Sequence, residues 1–282
     1  MFRGALTLGG VMRGSLGLLV SLLFILPLYW ALVASLGDPT APPPASVQWW
    51  QPDPHWDNYD QVFKIVPMAR YMRNSLIVVA WAVPITVITA SMAGFAIFLL
   101  RPAARDRMVT FSLVILLIPG AAVWLFRFQL LSWFHLLDTL PWALIFPAFA
   151  GTSPLFVLLF YWNFRRVPED TFEAARLDGA SLWTIWLRLA LPLSRPTMIG
   201  VVVLAFVFYW SDFINPVLYL FNPQLYTLPI GLQLLNQFGS SNWPVLMAGS
   251  VLIALPVIIL FVFLQRFFLN DLSLAELFDR AE

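Results

Sequence analysis

Few residues in this chain have types and spacings that suit chemistry, and Asp212 stands out among them. It lies in Phe208-Tyr209-Trp210-Ser211-Asp212-Phe213-Ile214-Asn215-Pro216, within a run apolar enough to sit in lipid. An ionised carboxylate facing hydrocarbon there is costly, so Asp212 is expected to face a partner helix, a water-filled cavity or a solute path. With Tyr209, Ser211 and Asn215 it offers polar contacts to a hydroxylated solute, and Trp210 offers a stacking face. The same residues would also serve as a packed, hydrogen-bonded cluster. Other chemistry is scarce. His55 and His135 stand outside any H-E-x-x-H pattern, no G-x-S-x-G is present, and without cysteine there are neither disulfides nor thiolate metal sites. The single lysine lies in Val62-Phe63-Lys64-Ile65, which is not a phosphate-binding loop. ATP hydrolysis by that route is excluded.

A second polar stretch is Glu173-Ala174-Ala175-Arg176-Leu177-Asp178-Gly179-Ala180. Pro168 suits the first position of a helix, Glu169, Asp170 and Glu173 suit its positive end, and Gly179 suits the left-handed residue that closes it. A further helical segment is expected from Ser181 to Leu191, ended by Pro192. Its polar stripe, Ser181, Thr184 and Arg188, is narrow, and Leu182, Trp183, Ile185, Trp186, Leu187 and Leu189 make a broad apolar face. Such a helix lies flat at a membrane surface. The pair reads as a helical hairpin at the water boundary, with small Ala174 and Ala175 letting another protein's surface come close.

The elements that must hold these residues are membrane spans. Of 282 residues 60% are hydrophobic and only 11% charged, with mean hydropathy +0.81 and formal charge +1. This is an integral membrane composition, and it gives no hint of nucleic acid. Six spans are expected, near 15–36, 75–100, 108–126, 142–164, 197–221 and 244–268. Residues 38–73 form a Pro-rich outer segment, with Pro42-Pro43-Pro44 as a stiff extended piece and Trp49, Trp50, Trp56 and Tyr59 as interfacial anchors. Tyr59, Phe63, Val66 and Arg70 suggest a short surface helix. Arg127 begins a short outer connection and snorkels to the boundary. In-span Pro27, Pro84, Pro119, Pro147, Pro154 and Pro256 imply kinks. Placing the N-terminus inside puts Arg3, Arg13, Arg101, Arg105, Arg107, Arg165, Arg166, Arg176, Arg188, Arg195, Arg266 and Arg280 in the cytoplasm, against Lys64, Arg70, Arg73 and Arg127 outside. By the positive-inside rule both termini and the Glu173 loop are cytoplasmic.

The order Glu173-Ala174-Ala175, Gly179, then Leu191-Pro192 resembles the cytoplasmic coupling loop in permease subunits of bacterial ATP-binding-cassette importers. Asp178-Gly179-Ala180 with Leu191-Pro192-Leu193 and Pro196 is closest to the carbohydrate branch, the maltose-type inner-membrane permeases. Asn58-Tyr59, Phe63 and Asn74-Ser75 are similar to that branch too. The pattern around Asp212 agrees in part, with Ser211 where Asn is common. The resemblance implies an all-α, type I importer permease fold: residues 1–73 an N-terminal span and outer loop, 74–268 the transmembrane core, 269–282 a cytoplasmic tail that reaches the ATPase subunits. It implies a non-catalytic inner-membrane subunit importing a sugar or sugar-like solute by alternating access. Its partners would be a second permease, two ATPase subunits carrying ATP and Mg, and an extracytoplasmic solute-binding protein. Phe172, Ala175 and Gly179 would form the face inserted into the ATPase, beside Glu173, Ala174, Asp178 and Ala180. The alternatives are a glycerol phosphate, phosphodiester or polyamine as solute, or an ion-coupled carrier using Asp212.

Overall fold

The computed structural model describes the backbone of residues 8–41, 46–238 and 242–279 and the side chains of 14–41, 46–238 and 242–265. Pro42-Pro43-Pro44, Arg3, Arg280 and the side chains of Arg13, Arg266 and the tail lie outside the described residues. Among the described residues every regular element is helical: α1 (Leu8–Ser35), α2 (Asp57–Ile65), α3 (Met68–Leu99), α4 (Pro102–Leu116), α5 (Ala121–Trp133), α6 (Trp142–Ile145), α7 (Pro154–Phe164), α8 (Glu169–Leu177), α9 (Leu182–Ile185), α10 (Leu191–Leu193), α11 (Arg195–Trp210), α12 (Ile214–Tyr219), α13 (Leu228–Phe238) and α14 (Trp243–Asp279). Four stretches are long and apolar enough to cross a membrane: 14–35, Met68–Leu99, Trp142–Phe164 and Trp243–Gln265. Among the described residues, counting each of two bent pairs as one span, α4 with α5 at 97° and Leu182–Leu193 with α11 at 81°, raises that number to six.

The sequence prolines act in three ways. Pro27, Pro84 and Pro256 are carried inside continuous helices. Pro154 opens α7, where its missing N–H costs nothing. Pro119 breaks the chain, so the single third span expected over 108–126 is instead α4 and α5 meeting at a sharp angle. The expected outer connection from Arg127 is therefore largely helical, through Trp133. Pro67 has a similar effect near the second span. It holds Val66 extended (φ −133°, ψ 150°), so α2 stops at Ile65, Arg70 belongs to α3, and that span begins at Met68 rather than Ser75. α14 continues without a break into the expected tail.

By internal contacts the chain forms two compact units, Met1–Met68 with Gly231–Leu255 and Ala69–Ile230 with Pro256–Glu282. In the first, buried Asn58 ties the end of α1 to α2, its Nδ2 donating to Ser35 O (2.9 Å) and Gly37 O (2.8 Å). Trp30 and Trp243 pack at 6.3 Å. In the second, α3 and α7 approach as closely as backbones allow. A Cβ on Gly94 would lie 2.8 Å from Val157 O and 2.9 Å from Tyr161 N, so only glycine fits there. Phe95, Phe98, Phe160 and Phe164 fill the core beside that contact.

Candidate functional site: a surface knuckle and a polar cluster

The knuckle is built on α8. Pro168 precedes the helix in extended conformation (φ −53°, ψ 134°), one residue earlier than the sequence suggests. Glu169 and Asp170 occupy the first turn and Arg176 the last, each complementing the helix dipole. At the far end Gly179 takes φ +78° and closes a Schellman motif: Gly179 N donates to Arg176 O and Ala180 N to Ala175 O, both at 3.0 Å. The chain then turns into α9, whose cap is Ser181, the acceptor for Thr184 N at 3.2 Å.

One expected contact residue points the other way. Phe172 is 3% exposed and inserts into the chain's own core, with ring centroids 5.0 Å from Phe98 and 6.1 Å from Phe95. An aromatic side chain on an otherwise polar helix is the cheapest anchor for it, so Phe172 fixes α8 to the C-terminal end of α3 and is not part of an inserted face. Arg105 holds the same end of α3 by donating to Phe98 O at 2.9 Å. Ala175 is half-buried, while Glu173, Ala174, Arg176, Asp178 and Gly179 are exposed. Leu177, which sequence reasoning passed over, is 89% exposed at the tip. The signal was an apolar residue just before the cap, at a turn too tight to fold it back.

Pro192 does not end the next segment. A π-turn over Trp186–Ala190 precedes it, the wider turn making room for the proline ring against the carbonyl four residues back, and the helix runs on to Leu193. Ile185, Trp186 and Ala190 are buried, while Leu182, Trp183 and Leu187 are exposed.

The Asp212 cluster sits at a break in the fifth span, expected as one helix over 197–221. α11 stops at Trp210 and α12 starts at Ile214. The Asp212 carboxylate receives Asn215 N (3.2 Å) and Asn215 Nδ2 (2.8 Å), capping α12 from within the break. Asn215 Oδ1 in turn accepts from Arg127 Nη1 at 3.1 Å, so Arg127 points inward from α5 and does not snorkel. Pairing is the cheaper outcome for a cation at that depth. Tyr209 is buried, and its hydroxyl is 2.8 Å from Thr152 Oγ1, which also meets Thr86 Oγ1. The left-handed turn at Gly151 (φ 76°) and Thr152 (φ 62°) aims that hydroxyl inward. Trp210 is fully buried against Phe206, ring centroids 5.4 Å apart, and offers no face to a solute. Ser211 is exposed. The five predicted residues thus share one neighbourhood, but two of them are packing residues. Arg127 and Thr152, absent from the prediction, are the members that line an adjoining cavity of about 690 Å³.

A further loop anchor is Asp138, whose Oδ1 receives Phe221 N (2.9 Å) and Asn222 N (2.8 Å). Asn74 donates to Gln224 O (2.8 Å) and Tyr226 O (3.0 Å).

Apolar helices long enough to span a membrane, with an anchored polar knuckle between the fourth and fifth candidate spans, define a multi-span membrane protein. Residues 74–273 match the family model of the binding-protein-dependent transport system inner membrane component, and the chain belongs to that family. It is similar to the arabinooligosaccharides transport system permease AraQ of Bacillus subtilis, 29% identical over 261 residues and 91% of each chain. It is also similar to the sulfoquinovosyl glycerol transport system permease SmoH of Agrobacterium fabrum, 30% identical over 91% of this chain and 89% of that one. In fold it matches a chain of a bacterial ABC transporter involved in the import of the acidic polysaccharide alginate, with TM-score 0.73, 18% identity, and 95% and 99% of the two chains covered. The fold is that of a type I ABC importer permease.

Proposed function

We propose that this chain is one of two membrane-spanning subunits of an ATP-driven importer that takes up a saccharide from an extracytoplasmic binding protein. The family is defined by dependence on such a protein, and both relatives named above are permeases for sugar-containing solutes. The observation that carries the coupling role is the knuckle: a short helix fixed to α3 through Phe172, closed by a Schellman turn, and presenting Glu173, Ala174, Arg176 and Leu177 outward. It is rigidly attached on one side and free on the other, as an element that transmits motion must be. ATP and Mg belong on two separate ATPase subunits that receive this helix, and the chain itself is non-catalytic. The termini and the knuckle face the cytoplasm in this reading, which the arginine distribution supports.

Mechanically, closure of the ATPase pair would carry α8 with it, and the Phe172 anchor would pass that displacement to α3 and, through the Gly94 contact, to α7. The shift works only if α8 is held differently in the two states, since a ligand moves an equilibrium by its differential affinity alone. Reconstitution with candidate ATPase and binding-protein subunits tests the reading. ATP-dependent saccharide uptake that is lost on deleting 173–180 supports it. Uptake that runs on a proton gradient without ATP would transfer the role of Asp212 to an ion-coupled carrier.

A further inference from the structure

The cavity beside the Asp212 cluster is open on one side and has an unusual lining. Its wall is mostly apolar and aromatic, with Phe126, Trp133 and Phe146, and its polar groups are Arg127, Gln129 and Thr152. At about 690 Å³ it falls within the range that holds a small ligand. Thr152 is already committed to Tyr209 and Thr86. Arg127 is only partly so. Of its five N–H donors, one is used on the neutral amide oxygen of Asn215 and another meets the Tyr219 hydroxyl, and no carboxylate lies within salt-bridge distance of it among the described residues. Asp212, whose charge reaches Arg127 at longer range, has its oxygens bonded to Asn215. A guanidinium held half-buried at a cavity wall, braced from behind and with spare N–H donors that no carboxylate meets directly, can receive an anionic group.

We propose that Arg127 selects for negative charge in the translocation pathway, so that the transported saccharide carries carboxylate or sulfonate groups. The inference rests on the saccharide-import reading and adds the class of sugar. The Arg127 fork takes an acidic group in bidentate fashion, and the aromatic wall takes sugar ring faces. Asn215, itself held by Asp212, accepts one guanidinium N–H and braces Arg127. A neutral sugar meets that cation with hydroxyl oxygens alone, and a carboxylate or sulfonate meets it with a charge-assisted, bidentate pair, so the site favours the acidic sugar.

The test uses the complete transporter, with its binding protein and ATPase subunits, in proteoliposomes. The probes are radiolabelled trigalacturonate and a glucuronate disaccharide against maltotriose and arabinotriose. ATP-dependent uptake of a uronate probe is expected, falling about tenfold or more in Arg127→Gln and recovering in part in Arg127→Lys. Because Arg127→Gln also disturbs Asn215, a second variant leaves the brace intact. Gln129→Glu sets a carboxylate on the same wall and is expected to depress uronate uptake and its salt sensitivity without harming assembly. Uptake of the neutral probes alone, or uronate uptake indifferent to both variants, overturns the role of Arg127 and leaves the importer reading standing. ATP-dependent uptake of none of the four would instead sink the saccharide reading, and the selectivity with it.

Discussion

Replacing Phe172 with alanine should uncouple ATP hydrolysis from transport while leaving the chain in the membrane. α8 is nine residues long and Phe172 is the one residue of it that is buried, so most of what docks the helix passes through this side chain. Its ring meets Phe98 at 5.0 Å and Phe95 at 6.1 Å in a packed core. Truncating a buried phenylalanine costs about 3–5 kcal/mol. Here the loss falls on a local equilibrium, docked against undocked α8, rather than on the spans. Such a loss changes that ratio by roughly 10²- to 10⁴-fold. The assay is solute moved per ATP hydrolysed in proteoliposomes, alongside copurification of the ATPase subunits. Phe172→Ala should keep ATPase activity while transport per ATP falls by about tenfold or more, and Phe172→Leu, which refills much of the space, should recover most of it. An assembled Phe172→Ala transporter with an unchanged ratio would refute the idea that this ring carries the mechanical link.

Other consequences follow from single contacts. Gly94→Val should abolish stable protein in thermal unfolding assays, because the new Cβ meets backbone atoms of Val157 and Tyr161 that cannot move aside; Gly200→Ala, where a Cβ meets nothing, should be neutral or slightly stabilising. Gly179→Val should weaken the Schellman turn by about 1–2 kcal/mol through its positive φ alone, and lower transport per ATP without lowering protein yield. Tyr209→Phe should cost about 1 kcal/mol of stability and leave uptake within a few-fold of normal, since its hydroxyl serves Thr152. A much larger loss of uptake would restore Tyr209 as a solute contact. Asn74→Ala frees two carbonyls at a cost of about 1–3 kcal/mol, seen as faster hydrogen exchange over 222–228.

What the sequence made legible follows from how local its signals are. Apolar runs longer than a bilayer thickness report spans whatever their partners, and the left-handed demand at Gly179 is met within six residues of chain. The misread features depend on contacts far apart. Nothing near Phe172 in sequence says that Phe95 and Phe98 wait for it, and nothing near Arg127 says that Asn215 lies within reach. Periodicity also hides a break when both halves are apolar, as at Pro119 and at Ser211–Phe213. Asp212 was expected to face a partner helix, a cavity or a solute path, or to join a hydrogen-bonded cluster, and its use as a cap for α12 needed the break to be known. Trp210 and Tyr209 looked available because aromatic residues beside an acid read alike whether they line a path or fill a core.

The absence of native cysteine makes the central claim directly testable, since one introduced thiol is unique in the chain. Leu177→Cys, at the exposed tip of the knuckle, is to be cross-linked in inverted membrane vesicles containing the whole transporter, with and without nucleotide. The account predicts a cross-link to the ATPase subunit whose yield changes when ATP is bound. A thiol at 177 that reacts only from the extracytoplasmic side, or that never reaches an ATPase subunit, would contradict it.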